Sequence, residues 1–318
     1  MKKVKLIYEG KAKRVYSTEE DDKFIIEFKD SATAFDGLKK AEIQGKGEAN
    51  CAISSKIFEL LTIKGVRNHY IERLNEREML VRSVKIFPIE VIIRNRVAGS
   101  MAKRLGLEEG RKLEKPILEF CYKSDELHDP MINEDHISAL GLASPEELIT
   151  IKDTSLKTNQ ILIEFFKLCH LDLVDMKFEF GKDSSGEIYL ADEISPDTCR
   201  LWELGTTESW DKDRFRRDLG GVEEAYNEVK KRVLETPVES KTRILIRLKQ
   251  GILDAQGSVI LNALKSLGFN EVLEVRVGKL LEIKLDRKVD EAGRIERMCR
   301  ELLANPVMED YEWEWIEE

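Results

Sequence analysis

The chain has 318 residues, 42% of them hydrophobic and 36% charged, with a formal charge of −9. That length supports a full core and, by itself, two domains. Net acidity with no contiguous basic stripe argues against non-specific nucleic-acid binding, and no apolar run reaches the ~18 residues of a membrane span. Cys51, Cys121, Cys169, Cys199 and Cys299 are odd in number and far apart, with no Cys-x-x-Cys pair. They predict reduced, mostly buried thiols, not a disulfide frame or zinc site. Met1-Lys2-Lys3-Val4 lacks the apolar core of a signal peptide, so a cytoplasmic location is expected.

Residues 3–8 and 14–16 read as two strands joined by Glu9-Gly10-Lys11-Ala12-Lys13. One glycine followed by two lysines can cover a polyphosphate with backbone N–H groups and cationic tips. Taken alone, an ordinary hairpin turn fits these residues better. Residues 24–28 form a further strand and 30–37 a polar loop after it. Ile53, Ile57, Leu60 and Leu61 recur at helical spacing, which predicts an amphipathic helix over 47–62. Lys46 and Asn50 on it are expected to face solvent.

The stretch FPIEVIIRNRVAGS, residues 87–100, predicts a strand ending in Arg94-Asn95-Arg96 and a helix that starts at 98–100 and runs through Leu105. A helix N-terminus with the Ser100 hydroxyl and a nearby Arg94 makes a pocket for phosphate or carboxylate. An ordinary serine cap with surface arginines explains the spacing as well. Residues 118–123 read as a strand, followed by the polar loop 124–130, in which His128 is a base or simply exposed. Ser144, Pro145 and Glu147 form a capping-box helix start, and a helix is expected from about 154 to 170.

Residues 171–200 concentrate the chemistry: LDLVDMKFEFGKDSSGEIYLADEISPDTCR. Val174, Met176, Phe178 and Phe180 alternate with Asp175, Lys177 and Glu179, so one strand carries an apolar face and a charged one. Residues 182–186 turn the chain into a second strand that ends at Asp192-Glu193, folding Asp192 back toward Glu179. Two carboxylates on a rigid hairpin suit Mg²⁺, which takes one or two protein oxygens and fills the rest with water and phosphate. An exposed charged face of an edge hairpin is the competing reading. The density of Asp175, Lys177, Glu179, Asp192, Glu193, Asp197 and Arg200 in one unit favours function. Residues 211–217 and 222–234 then look helical and close the domain.

The pattern resets at 236–240, a linker between a domain of residues 1–235 and one of 241–318. In the second domain Ile244, Ile246 and Leu248 alternate with charges as a strand. Val259, Ile260, Ala263, Leu264 and Leu267 make a helical stripe stopped by Gly268. Residues 272–277 and 280–285 read as two strands. Val289, Ala292, Ile295, Cys299, Leu302 and Leu303 form a second stripe, and Tyr311, Trp313 and Trp315 line a last strand. The predicted order is βαββαβ, a ferredoxin-like sandwich whose aromatic edge suits pairing with another copy.

FPIEVIIRNRVAGS and LVDMKFEFG, with YEGKAKRVY, KKAEIQGKGEAN, HDPMINE and DEISPDTCRLW, resemble the SAICAR synthetase family over nearly all of 1–235. The resemblance implies an α+β, two-lobed ATP-binding domain. It implies the ligation of CAIR and L-aspartate to SAICAR with ATP and Mg²⁺, in purine (IMP) biosynthesis. It puts Mg²⁺ at Glu179 and Asp192, the ATP phosphates along Gly10, Lys11 and Lys13, and adenine against the strand segment of Met79 and Val81. It gives Arg94, Ser100 and Arg200 to the CAIR phosphate and carboxylate, and sets Asp36, Asp129, Asp175 and Lys177 nearby. GILDAQGSVILNAL, VRVGKLLEI and LLANPVMEDY resemble PurS, the small subunit of FGAM synthase, although Ala255 stands where that family usually has proline. That implies a non-catalytic module bridging a large synthase subunit and a glutaminase subunit, in a homo-oligomeric fusion. The rival reading is a small-molecule kinase with a regulatory, amino-acid-binding βαββαβ module.

Overall fold

The computed structural model describes residues 1–34, 39–286 and 291–316. The chain divides into two compact units, Met1–Thr236 and Pro237–Glu318.

The first unit begins with β1 (Leu6–Glu9), β2 (Lys13–Ser17), β3 (Lys23–Phe28), β4 (Ser31–Ala34) and β5 (Lys39–Glu42). Helix α1 (Lys46–Ile63) leads to β6 (Tyr70–Arg73), β7 (Glu78–Arg82) and β8 (Lys85–Arg96). After α2 (Gly99–Leu105) come β9 (Lys112–Tyr122), β10 (Met131–Ile132), α3 (Glu134–Ala139) and α4 (Pro145–Leu168). The unit closes with β11 (Leu171–Lys182), β12 (Ile188–Ala191), β13 (Cys199–Glu203), α5 (Asp213–Arg216) and α6 (Val222–Glu235). One sheet has the order β1-β2-β3-β7-β6. The other runs β10-β9-β8-β11-β12, with β13 also on β11.

β11 is the axis of the second sheet. It pairs with β8 from Asp175↔Arg94 to Lys182↔Lys85, while β12 and β13 share its other edge. Val174, Met176, Phe178 and Phe180 are each at most 1% exposed, and α4 packs against the strand. Burying each such side chain stabilises by about 1.5–3 kcal/mol, which is enough to fix the register and therefore the face on which the charges stand.

Four local expectations change. Residues 31–34 of the expected polar loop form β4, laddered to β5; Asp36, in the same stretch, lies outside the described residues. Lys46 and Asn50 do not face solvent: both are 1% exposed, because α1 is buried around most of its circumference. The helix expected from 154 is one continuous helix from Pro145, started by the predicted capping box. Helix α3, held by an Asn133 cap, was not anticipated.

The second unit comprises β14 (Glu239–Leu248), α7 (Ala255–Ser266), β15 (Gly278–Asp286), α8 (Glu291–Met298) and β16 (Glu309–Ile316). β14 starts at Glu239, inside the segment expected as linker. Its sheet is β15-β14-β16, three strands among the described residues where four were expected. Residues 272–277 are not laddered. They are tied instead by polar side chains: Asp254 Oδ2 accepts from Val277 N at 2.6 Å, and Arg276 Nη2 donates to the Leu248 carbonyl at 2.6 Å. Ile244, Ile246, Ile295, Cys299 and Ala304 form the core, flanked by Trp313 and Trp315. Val289 of the second stripe lies outside the described residues, and Leu302 is exposed.

Candidate active site

The charged face of β11 carries Asp175, Lys177 and Glu179 in a row, and each end of the row has its own cluster. At the Glu179 end, Lys177 Nζ donates to Glu179 Oε1 at 2.7 Å and to Glu90 Oε1 of β8 at 2.8 Å. Lys123, just past β9, also pairs with Glu179. Across the hairpin, Lys13 of β2 pairs with Asp192 and, at 2.9 Å, with Glu193. The first sheet thus supplies a cation to carboxylates of the second. Burial and Asp192 both push the Glu179 carboxyl up, but Lys177 and Lys123 outweigh them and hold it below the usual range. Burial likewise opposes ionisation of Asp192, yet Lys13 and Lys177 keep it well below normal. Both groups are carboxylates at neutral pH.

Asp192 adopts φ +67°, a left-handed conformation uncommon for a residue with a side chain. The Nε2 of His69 lies 3.1 Å from the Asp192 carbonyl. A carbonyl only accepts, so Nε2 carries the proton. Burial is the main cause that pushes the His69 imidazole down to about 4, and it is neutral.

At the other end, Arg94 and Arg200 converge on Asp175. Arg94 Nη1 reaches Asp175 Oδ2 at 3.0 Å, its Nε donates to Glu119 at 2.6 Å, and its Nη2 lies 3.1 Å from Ser100 Oγ. Arg200 Nη1 donates to the same Asp175 oxygen at 2.6 Å and its Nε to Asp213 at 2.7 Å. Ser100 is therefore not the cap of α2, which begins after Ala98; its hydroxyl turns to Arg94. Gly99, at φ +54°, leaves the space Arg200 needs: a Cβ there would stand 2.5 Å from Arg200 Nη2.

Other expected residues lie around this row. Lys11 reaches Asp125 at 2.7 Å, linking the β1–β2 turn to the loop after β9. The Gly10 N–H donates to the Lys13 carbonyl as in a hairpin. Asp129, at φ +47°, accepts from Ser124 N at 2.9 Å, and its charge acts on Glu90. Met79 and Val81 are buried in β7, which is laddered on both sides to β3 and β6, so they offer an apolar wall more readily than free backbone. Behind the row, Lys46 pairs with Asp197 at 2.7 Å, and Tyr226 donates to the other Asp197 oxygen at 2.6 Å. Sequence reasoning missed Glu90, Lys123, Glu119, Asp213 and His69 as members of the site. Only the tertiary fold brings them in, Glu90 and Glu119 from strands, Asp213 from α5, and Lys123 and His69 from beside strand ends, and 13 to 123 residues separate each from its partner.

The donor set fits a hard divalent cation. Glu179 and Asp192 are ionised, acceptor-only and set among ammonium groups that a polyphosphate would also attract. Among the described residues no cage of three or more His, Cys, Asp or Glu side chains forms.

The sequence model of SAICAR synthetase matches residues 6–233. The chain belongs to the SAICAR synthetase family. The phosphoribosylaminoimidazole-succinocarboxamide synthase of Caldanaerobacter subterraneus is 59% identical over 233 residues, 73% of this chain and 99% of that one. The synthase of Deinococcus deserti is 56% identical over 229 residues, 72% of this chain and 97% of that one. The crystal structure of the Ehrlichia chaffeensis synthase is 47% identical, with a TM-score of 0.71, and spans 73% of this chain and all of its own. A SAICAR synthetase in complex with ADP is 50% identical, with a TM-score of 0.70, covering 72% of this chain and 98% of that one.

The first unit is accordingly an ATP-dependent carbon–nitrogen ligase of SAICAR synthesis, and the kinase reading is not favoured. The second, residues 241–317, matches the PurS model, described as phosphoribosylformylglycinamidine (FGAM) synthase, so the chain fuses two purine-pathway proteins. Among the described residues no helix is long and apolar enough to cross a membrane.

Proposed function

We propose that the charged face of β11 is the reaction axis of SAICAR synthesis, with nucleotide at its Glu179 end and CAIR at its Asp175 end. The observation that carries this is the single row Asp175–Lys177–Glu179, flanked at one end by Lys13 and Lys123 and at the other by Arg94 and Arg200. Glu179 and Asp192 would hold Mg²⁺, which supplies charge neutralisation to the ATP phosphates. Gly10, Lys11 and Lys13 lie along those phosphates and Met79 and Val81 beside the adenine. Arg94, Ser100 and Arg200 take the CAIR phosphate and carboxylate, since guanidinium binds either in bidentate fashion. Asp36 and Asp129 complete the substrate side.

On this reading a CAIR carboxylate oxygen attacks the γ-phosphorus and ADP leaves, giving an acyl phosphate. The aspartate amine then attacks that carbonyl, inorganic phosphate departs and the amine loses its proton. Lys13 and Lys177 balance the charge that develops on the transferred phosphoryl group, so the protein's part is positioning and electrostatics. Residues 1–235 form the catalytic domain, 236–240 the junction, whose last two residues already belong to β14, and 241–318 an assembly module for the large and glutaminase subunits of FGAM synthase. The chain works in the cytoplasm as a homo-oligomer.

The test is ADP release by the full chain with Mg-ATP, with and without CAIR and L-aspartate. Release that requires both, with SAICAR formed, is the expected result. Release without aspartate would overturn the coupling of the two half-reactions. In a pull-down, residues 241–318 should retain the FGAM synthase large subunit; a fragment that ignores it would refute the assembly role.

A further inference from the structure

His69 is a buried histidine that the reaction above does not use. Its position is fixed from three sides. The backbone N–H donates to the Leu190 carbonyl of β12 at 2.9 Å, and its own carbonyl accepts from Arg82 N of β7 at 2.7 Å. The ring meets Phe58 of α1 edge-on, centroids 5.3 Å apart. The residue therefore bridges a strand of one sheet and a strand of the other. From that bridge its Nε2–H reaches the carbonyl of Asp192, two residues beyond Leu190.

Asp192 is where such a hold is needed. A left-handed backbone is uncommon at a non-glycine residue, and although Asp tolerates it better than most, the turn at Asp192 sets where its side chain leaves the chain. The peptide that follows Asp192 is pinned by His69, and the carboxylate of the same residue is pinned by Lys13. Asp192 thus has two anchors, one on its main chain and one on its side chain.

We propose that His69 is a positioning residue for Asp192: by clamping the Asp192 carbonyl it maintains the left-handed turn that points the carboxylate to the cation site beside Glu179. This rests on the reading of Asp192 as a metal carboxylate. A satisfied core histidine is the competing description, and it predicts a loss of stability with no specific loss of metal affinity.

The experiment uses the full chain with Mn²⁺ as the probe, free Mn²⁺ being followed by electron paramagnetic resonance during titration in the presence of ADP. CAIR binding is measured in parallel by calorimetry. His69→Phe keeps an aromatic ring against Phe58 and removes the donor. It should weaken Mn²⁺ binding roughly tenfold, in the range typical of lost outer-shell partners, and leave CAIR affinity unchanged. His69→Gln, whose amide can reach the same carbonyl, should recover most of the Mn²⁺ affinity. If His69→Phe no longer binds CAIR, it has not folded, and His69→Met replaces it in the same comparison. Asp192→Asn is the control. If it retains full Mn²⁺ affinity, the metal reading fails and the inference falls with it. If Asp192→Asn loses affinity while the apolar His69 variant keeps it, His69 is a core residue only and the inference alone is overturned.

Discussion

Arg94 and Arg200 meet on one atom. Both guanidinium groups donate to Oδ2 of Asp175, from 3.0 and 2.6 Å, although the arginines come from different strands, β8 and β13. Among the described residues Asp175 is the anion they share, and each arginine has a second acid of its own, Glu119 or Asp213. Replacing Asp175 by Asn leaves two largely buried cations short of an anion. The expected cost is about 3 kcal/mol of stability, visible as a lower urea midpoint, together with a raised KM for CAIR. An unchanged KM would remove the arginine pair from the CAIR site.

Gly99→Ala tests the space behind that pair. The added methyl meets the Arg200 guanidinium at 2.5 Å, and Arg200 cannot retreat while Asp175 and Asp213 hold it. The left-handed φ adds strain of its own. The variant should lose more than about 1 kcal/mol, lower its melting temperature by a few degrees and bind CAIR less tightly. Calorimetric melting and CAIR titration on one preparation check both.

Glu179→Ala or Asp192→Ala should lower kcat on the order of 10³-fold while the protein still melts cooperatively and binds CAIR. Loss of a phosphoryl clamp acts on the transition state, not on the substrate anchor some residues away. A kcat near that of the unaltered enzyme in either variant removes the metal assignment.

The buried Lys46–Asp197 pair predicts a pH dependence. Burial alone would raise the Asp197 carboxyl, but Lys46 and, less directly, Lys212 hold it well below its ordinary 3.8. A depressed carboxylate stabilises the fold above its unfolded pKa, and the contribution fades as pH falls through the folded value. In Lys46→Met burial wins, so the carboxyl rises and its ionisation opposes folding as pH increases. The variant should be less stable by about 3–5 kcal/mol at pH 7, and the gap should narrow toward pH 4. Urea midpoints at pH 7, 5 and 4 measure it; a constant gap refutes the pairing.

How much of this was legible in the sequence follows from the range of each signal. The alternation of Val174, Met176, Phe178 and Phe180 with Asp175, Lys177 and Glu179 is local, so the strand, its two faces and the return of Asp192 were readable. The capping box at Ser144 was readable for the same reason. Glu119 and Asp213 were not, because what makes them relevant is where Arg94 and Arg200 point. Lys46 and Asn50 were misjudged because their polarity suggested water, and only α6 and the loop after β12 put them inside. Residues 272–277 carry strand-forming side chains yet join no ladder. Pattern describes what a segment tolerates, not whether a neighbouring strand is present to receive it.

The row on β11 also sets a length. Side chains two apart on one face of a strand recur about every 6.6 Å, so Asp175 and Glu179 stand roughly 13 Å apart along the strand. Both ends belong to one stretch of backbone laddered along its edges, and no loop motion can stretch or shorten it. If the proposed ends are right, the strand works as a ruler. On the proposed reading, a substrate held by the arginines meets the phosphoryl group brought by the nucleotide only if the two together span that distance. Selectivity for substrate length would then reside in covalent geometry, and it should survive mutations in the surrounding loops that alter affinity.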